Sequence, residues 1–165
     1  MRSITVRRAT YADIVDILHI FNQGIEDRIA TLEEETKDRP FINNWFDEHQ
    51  GRFAILVAEN GQGIIGWSSL NRYSLRCAYR GVADLSIYIH REYRGQGIGS
   101  ILLEALEEEA RKNEFYKIVL FTFPFNKNGQ GLYRKMKYRE VGVFENQGIL
   151  DGKPTDVMIM EKLLV

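Results

Sequence analysis

The stretch Tyr93-Arg94-Gly95-Gln96-Gly97-Ile98-Gly99-Ser100 constrains this chain more than any other, because it joins two segments of opposite periodicity. Before it, Ala83 to Ile89 is rich in β-branched and aromatic side chains, as a strand is. After it, Ile98, Ile101, Leu102, Ala105, Leu106 and Ala110 recur at helical spacing, while Glu107/Arg111 and Glu108/Lys112 can pair on the other face. The unit is therefore strand, glycine turn, helix. A helix start has N–H groups without intrahelical partners and a partial positive charge, and glycines let a ligand approach that backbone. The helix's own acids begin at Glu104, which leaves the positive end to an external anion. The other reading is a tight connection that needs φ > 0 and binds nothing. Two nucleotide turns are disfavoured: Ser100 stands where a dinucleotide fingerprint has its third glycine, and no Gly-Lys-Ser/Thr closes a P-loop.

The rest of the chain surrounds this unit with alternating elements. Ser3 to Arg7 reads as a strand, and Thr10 as the cap of a helix through Ile14, Ile17, Leu18 and Phe21 that ends near Asp27. Arg28 to Asp38 lacks period and reads as a loop walling a pocket, after which Pro40 opens a helix through Trp45 and Phe46. Phe53 to Ala58 and Ile64 to Leu70 form a hairpin about Asn60 to Gly63. Beyond the Ala83 strand and its helix come a strand at Lys117 to Phe121, a short helix from Asn126 through Met136, and strands at Tyr138 to Phe144 and Pro154 to Leu163, split by Gly148 to Gly152. The expected order is β-α-α-β-β-β-α-β-α-β-β: an α/β (α+β) class with a mixed, mostly antiparallel sheet flanked by helices. A length of 165 residues at 44% hydrophobic content suits one domain over residues 1–165. A net charge of -1 offers no basic field for nucleic acid or an anionic membrane, and no apolar leader opens the chain, so a cytoplasmic protein acting on small molecules is expected. The single Cys77 and the scattered His19, His49 and His90 indicate neither a disulfide nor a metal site.

The form Arg-x-x-Gly-x-Gly at Arg94 to Gly99 resembles the pyrophosphate-binding motif of the GCN5-related N-acetyltransferases (GNAT). Their element order matches the one above, and Asn126 to Tyr138 resembles their Asn-x-x-Ser-x-x-Leu-Tyr-x-Lys-x-Gly-Phe segment, so the likeness covers nearly the whole chain. Gly129 and Lys137 depart from it. A lysine at φ > 0 costs stability, so a different cap is expected for that helix. The resemblance implies a single GNAT acyl-CoA N-acyltransferase fold with acetyl-CoA as cosubstrate. Arg94, Gly95, Gln96, Gly97, Ile98, Gly99 and Ser100 would hold the pyrophosphate, and Ile87, Tyr88, Ile89 and Asn126 the pantetheine arm. It also implies Asp84 as base, directly or through water, and Tyr133 as the acid that protonates the leaving sulfur. Read by themselves, Asp84 is equally a strand-end carboxylate paired with Arg80, and Tyr133 a core aromatic beside Leu132 and Met136.

Within the family, Arg76-Cys77-Ala78-Tyr79 ahead of Asp84 and the tail Gly152 to Val157 are similar to the phosphinothricin acetyltransferase-like branch. That likeness implies a small amino-acid-like amine as acceptor, bound by Arg76 and Tyr79, and a homodimer. The planar fork of Arg76 suits a carboxylate or phosphinate, although a solvated loop arginine reads equally well. No helix start or histidine base stands beside Cys77 in the sequence to activate it as a nucleophile. A protein N-terminal or lysine acetyltransferase, and a non-catalytic acetyl-CoA-binding module, are the alternatives.

Overall fold

The computed structural model describes residues 3–165. In chain order the elements are β1 (Thr5–Arg8), α1 (Ile14–Glu26), α2 (Arg39–Glu48), β2 (Ile55–Glu59), β3 (Ile64–Arg72), β4 (Val82–Ile89), α3 (Ile98–Lys112), β5 (Lys117–Thr122), α4 (Lys127–Lys135), β6 (Arg139–Leu150) and β7 (Lys153–Leu163). This is the expected order. The strands form one sheet, β1-β2-β3-β4-β5-β7-β6, antiparallel throughout except between β4 and β5. A parallel pair needs a long crossover, and α3 supplies it.

Local chemistry sets the helix starts. Asp13 accepts the Thr10 backbone N–H at 2.7 Å and is held in place by the two guanidinium nitrogens of Arg7 at 2.8 and 2.9 Å, fixing the entry to α1. Asp38 accepts from Phe41 N–H at 3.1 Å to cap α2, with Pro40 in the first turn as anticipated. The sheet then divides two cores. Leu56, Ala58, Leu70, Ala83 and Leu85 pack with Leu102, Leu103 and Leu106 of α3, whereas Ile55, Val57 and Trp67 pack with Ile14, Ile17 and Ile20 of α1 and Ile42 of α2. Side chains alternate along a strand, so Asp84, Ser86 and Tyr88 of β4 belong to the α1–α2 face.

The β4–β5 pairing is short. It holds only Val82 with Lys117, Ala83 with Ile118 and Asp84 with Val119. Beyond Asp84 the strands diverge, β4 continuing against β3 to Ile89 and β5 against β7 to Thr122.

Two boundaries differ from expectation. β6 does not stop at Phe144 but runs to Leu150, and Gly148 lies within it, paired with Thr155. The reversal needs only Asp151 and Gly152, at φ of 50° and 77°, as a two-residue hairpin turn requires. The ladder is irregular between Glu140 and Gly142 and again between Phe144 and Gly148, where Asn146, at φ 49°, donates its backbone N–H to the Asp156 carboxylate at 2.8 Å. The second difference is the end of α4. Lys137 does take the left-handed conformation, at φ 73°. Its N–H donates to the Arg134 carbonyl at 3.0 Å and that of Tyr138 to the Tyr133 carbonyl at 2.9 Å, the paired bonds of a Schellman cap. Tyr138 then packs its ring 5.9 Å from that of Tyr133, so the cap's apolar contact compensates the lysine's strain. Lys137→Gly should stabilise the fold by about 1 kcal/mol by relieving a left-handed side chain. Denaturant unfolding measures this, and a loss of stability would show that the lysine side chain contributes contacts outweighing its backbone strain.

Candidate active site

The turn before α3 is built to receive an anion. Gly95 and Gly97 stand at φ of 77° and 84°, and a Cβ at either would meet no atom within 4 Å, so the backbone lies open. Gly97 caps the 15-residue α3, whose first turn holds no acid. These amides and the helix dipole fit a pyrophosphate, the group that acetyl-CoA would present. Gly99 serves packing instead: a Cβ there would come within 2.9 Å of Leu132 Cδ2 on α4. The Arg94 side chain is engaged by the protein, donating to Asp27 at 2.6 Å and to the Ile89 carbonyl at 3.3 Å. Arg91 donates to the same Asp27 at 2.8 and 3.0 Å, and the two arginines, Arg91 foremost, hold that carboxyl below its usual range. The loop is thereby tied to the end of α1. Gln96 is exposed, donates to the Glu92 carbonyl, and does not line the cleft.

That cleft, about 760 Å³, follows the divergence of β4 and β5. It runs from Arg94, Gly95 and Gly97 to Ser100 along Ile87, Tyr88 and Ile89 to Asp84, with Thr122, Asn126, Leu132 and Tyr133 opposite and Ile29 to Thr31 at one side. Asn126 caps α4 by accepting the Gly129 N–H at 3.1 Å and donates to Thr122 Oγ1 at 3.2 Å, so its side chain shapes the wall. Tyr133 is 8% exposed. Burial, with the Asp84 carboxylate adding to it, pushes its phenol above the ordinary value, so it is protonated at neutral pH and a weaker acid than a free phenol.

A second cavity of about 600 Å³ opens on the α1–α2 face, with Phe21, Phe41, Trp45, Trp67 and Tyr88 as apolar lining and Glu33, Glu48, His49, Asn71 and Arg72 as polar lining. The two cavities share Thr31, Asp84, Ser86 and Tyr88. Burial raises the Asp84 carboxyl to about 7, against hydrogen bonds from Asn71 and the Leu85 backbone that lower it. The alternative ion pair with Arg80 is not formed: Arg80 is exposed, and Asp84 makes no ion pair among the described residues. Arg76 and Tyr79 stand apart, exposed about the short helical turn Cys77–Tyr79 and lining neither cavity.

Sequence reasoning passed over Arg72, Asn71 and His49. Their signal lies in strand register, since Asn71 faces Asp84 and Arg72 faces Ala83 across the β3–β4 ladder. A carboxyl held at about 7 in the fold against 3.8 unpaired opposes folding wherever it must ionise. The folded chain binds the extra proton between those values, so the penalty is absent below about pH 4 and complete above about pH 7. Asp84→Asn should therefore unfold at higher denaturant than wild type at pH 8, by on the order of 2 kcal/mol, with the gap closing towards pH 4. A gap independent of pH would locate the effect in packing and not in charge.

Comparison with known proteins places this geometry. Residues 15–138 match the model of the acetyltransferase (GNAT) family. An L-methionine sulfoximine/L-methionine sulfone acetyltransferase of Pseudomonas aeruginosa is 30% identical over 96% of this chain and 94% of its own. Among solved structures, a phosphinothricin acetyltransferase from Sinorhizobium meliloti in complex with AcCoA superposes with a TM-score of 0.91 at 26% identity, over 97% of this chain and 88% of that one. A ribosomal-protein-alanine N-acetyltransferase from Brucella melitensis superposes with a TM-score of 0.93 at 29% identity, over 96% and 99%.

Proposed function

The chain belongs to the GNAT acetyltransferase family, and on that premise we propose that it moves the acetyl group of acetyl-CoA to the amine of a small amino acid or amino-acid analogue of the phosphinothricin or methionine sulfoximine type. The observation that carries this reading is the meeting of two cavities at one carboxyl whose proton affinity is near neutral. The cleft with the glycine turn takes acetyl-CoA, which supplies the acyl group as an activated thioester. Backbone N–H groups from Gly95 to Ser100 hold the phosphates, and the free edge of β4 from Ile87 to Ile89, with Asn126, positions the arm. The acceptor enters the second cavity. Asp84 takes the proton of its ammonium, directly or through water, and the Tyr133 hydroxyl returns a proton to the departing sulfur. A carboxyl titrating near 7 is ionised often enough at neutral pH, yet basic enough, to accept that proton.

Arg72 is the arginine that lines the second cavity, so the acceptor's acid group is assigned to it in preference to Arg76. Its guanidinium stacks 4.9 Å from the Phe53 ring, which limits its freedom before a ligand arrives. The loop after α1 supports a small acceptor over a protein chain: Arg28 donates to Asp151 at 2.8 and 3.1 Å, bracing the loop against the β6–β7 turn while Thr31 and Glu33 wall the cavity. A homodimer in the cytoplasm belongs to the same proposal. The dimer's support is the edge strand β6, whose Val141, Val143, Phe144 and Ile149 are 40–59% exposed; among the described residues no helix is long and apolar enough to cross a membrane.

Release of free CoA from acetyl-CoA, read with a thiol reagent, tests the proposal against phosphinothricin, methionine sulfoximine, methionine and the decarboxylated amine of each. Thiol should appear with the amino acids, kcat/KM should rise with pH through about 7, and Arg72→Ala should reduce kcat/KM for them by on the order of tenfold or more while sparing the amines. No release with any amine would reduce the protein to a binding module, and release only with peptides would move the acceptor class.

A further inference from the structure

The two cavities meet at Thr31, Asp84, Ser86 and Tyr88, so an amine and a thioester arriving from opposite sides react within reach of these four residues. Thr31 belongs to the loop after α1, whereas Asp84, Ser86 and Tyr88 are alternate residues of β4 and share one face. The Tyr88 ring is part of the aromatic wall, stacked 5.2 Å from Phe21 and 4.9 Å from Trp67. Ser86 lies between Tyr88 and the proposed base, and its hydroxyl is held from the neighbouring strand. Asn71 Nδ2 donates to Ser86 Oγ at 2.9 Å, and Asn71 Oδ1 in turn accepts from the fully buried Ser69 Oγ at 2.8 Å.

A hydroxyl has one proton and two lone pairs. The bond from Asn71 occupies one lone pair; with the amide turned over, Ser86 would donate to Oδ1 and keep both. In either sense a lone pair is left for a further N–H. Alternate residues of a strand stand about 6.6 Å apart. One atom hydrogen-bonded at about 2.9 Å to each of two oxygens bridges up to about 5.8 Å between them. A single nitrogen therefore fits between the Asp84 carboxylate and the Ser86 hydroxyl.

We propose that Ser86 orients the amine for acetyl transfer: its Oγ accepts one N–H of the substrate nitrogen while Asp84 takes a proton from the same atom, which aims the nitrogen lone pair at the thioester carbon. The inference rests on Asp84 being the base and on the amine entering by the second cavity. Of the three hydrogens on the ammonium, one goes to Asp84 and a second balances the proton that reaches the departing sulfur. The third stays on the amide nitrogen of the product, and this is the one that Ser86 holds while the C–N bond forms and the C–S bond breaks. Ser86 is uncharged, so its hold on the nitrogen is the same on either side of the titration of Asp84.

The test is kcat/KM for the fastest amino acid against pH, with saturating acetyl-CoA, for wild type, Ser86→Ala, Ser86→Cys, Ser86→Thr and Asp84→Asn. Turnover is read by loss of thioester absorbance, which an added cysteine does not disturb, and denaturant unfolding and calorimetric binding of acetyl-CoA accompany each variant. Ser86→Ala should lower kcat/KM by about tenfold or more at every pH, as expected on losing a hydrogen bond to a charged group, with the acid limb in its wild-type place. Ser86→Cys fills the same space with a weak acceptor and should lose as much, whereas Ser86→Thr keeps the hydroxyl and should recover most of the loss. Affinity for acetyl-CoA should not change in any of the three serine variants. Wild-type turnover in Ser86→Ala or Ser86→Cys would overturn the inference. So would a shifted acid limb, which would mean that Ser86 acts on Asp84 and not on the amine, or losses that follow a lowered unfolding midpoint in all three. If Asp84→Asn keeps the wild-type limb, the base is another group and the inference falls with its premise. A limb lost in Asp84→Asn beside wild-type rates in Ser86→Ala would remove this inference alone.

Discussion

The structure depends on the point where β4 and β5 part. Three residue pairs join them, and past Asp84 each strand keeps only its antiparallel neighbour. A backbone edge inside a protein must find hydrogen-bond partners somewhere, so an opening of this kind is stable only where water or a ligand can supply them. The divergence is enforced from both ends. α3 starts from the glycine turn that follows β4 and packs back on the sheet through Leu102, Leu103 and Leu106, while α4 sits at the end of β5 with Leu132 close against Gly99. The parted strands and the open helix start thus line one cleft, and the open glycine turn and the free strand edge are products of the same crossover.

The same parting explains the electrostatics of Asp84. It occupies the last paired position of β4, where the sheet is still closed on the β3 side but the cleft has begun. Enough water is excluded to raise its carboxyl to about 7, and Asn71 with the Leu85 amide returns part of the lost solvation. Asp84 forms no ion pair among the described residues; such a pair would have lowered its proton affinity. Ionised Asp84 therefore destabilises the fold, and the ionised form is the one the proposed proton transfer requires, a conflict common at functional sites.

How much of this was legible in the chain follows from how local each feature is. The turn at Arg94 to Gly99, the cap at Asn126 and the helix start at Pro40 are written in adjacent residues, and their expected positions agree with the structure. The end of β6 was misplaced because glycines were taken as breaks, although Asp151-Gly152 is by itself a two-residue turn signal and Gly148 pairs inside the ladder. At Lys137 the cap geometry outweighed the residue's own preference, with Tyr138 against Tyr133 supplying the contact. The second cavity was the least legible. Its residues come from α1, α2, β3, β4 and the loop between the helices, and nothing in their spacing joins His49 or Arg72 to Asp84 until the β3–β4 register is known. Arg76 lies close to Asp84 in sequence, yet the turn Cys77–Tyr79 carries it to the surface.

The central claim is that one cleft, made by the glycine turn and the free edge of β4, is where acetyl-CoA binds. Amide hydrogen exchange with and without saturating acetyl-CoA measures this residue by residue. The account predicts slowed exchange at Gly95 to Ser100 and at the amides of Leu85 to Ile89 that do not pair with β3, with little change in β6 and β7. Unchanged exchange in both of those stretches, with protection appearing on another surface, would contradict it.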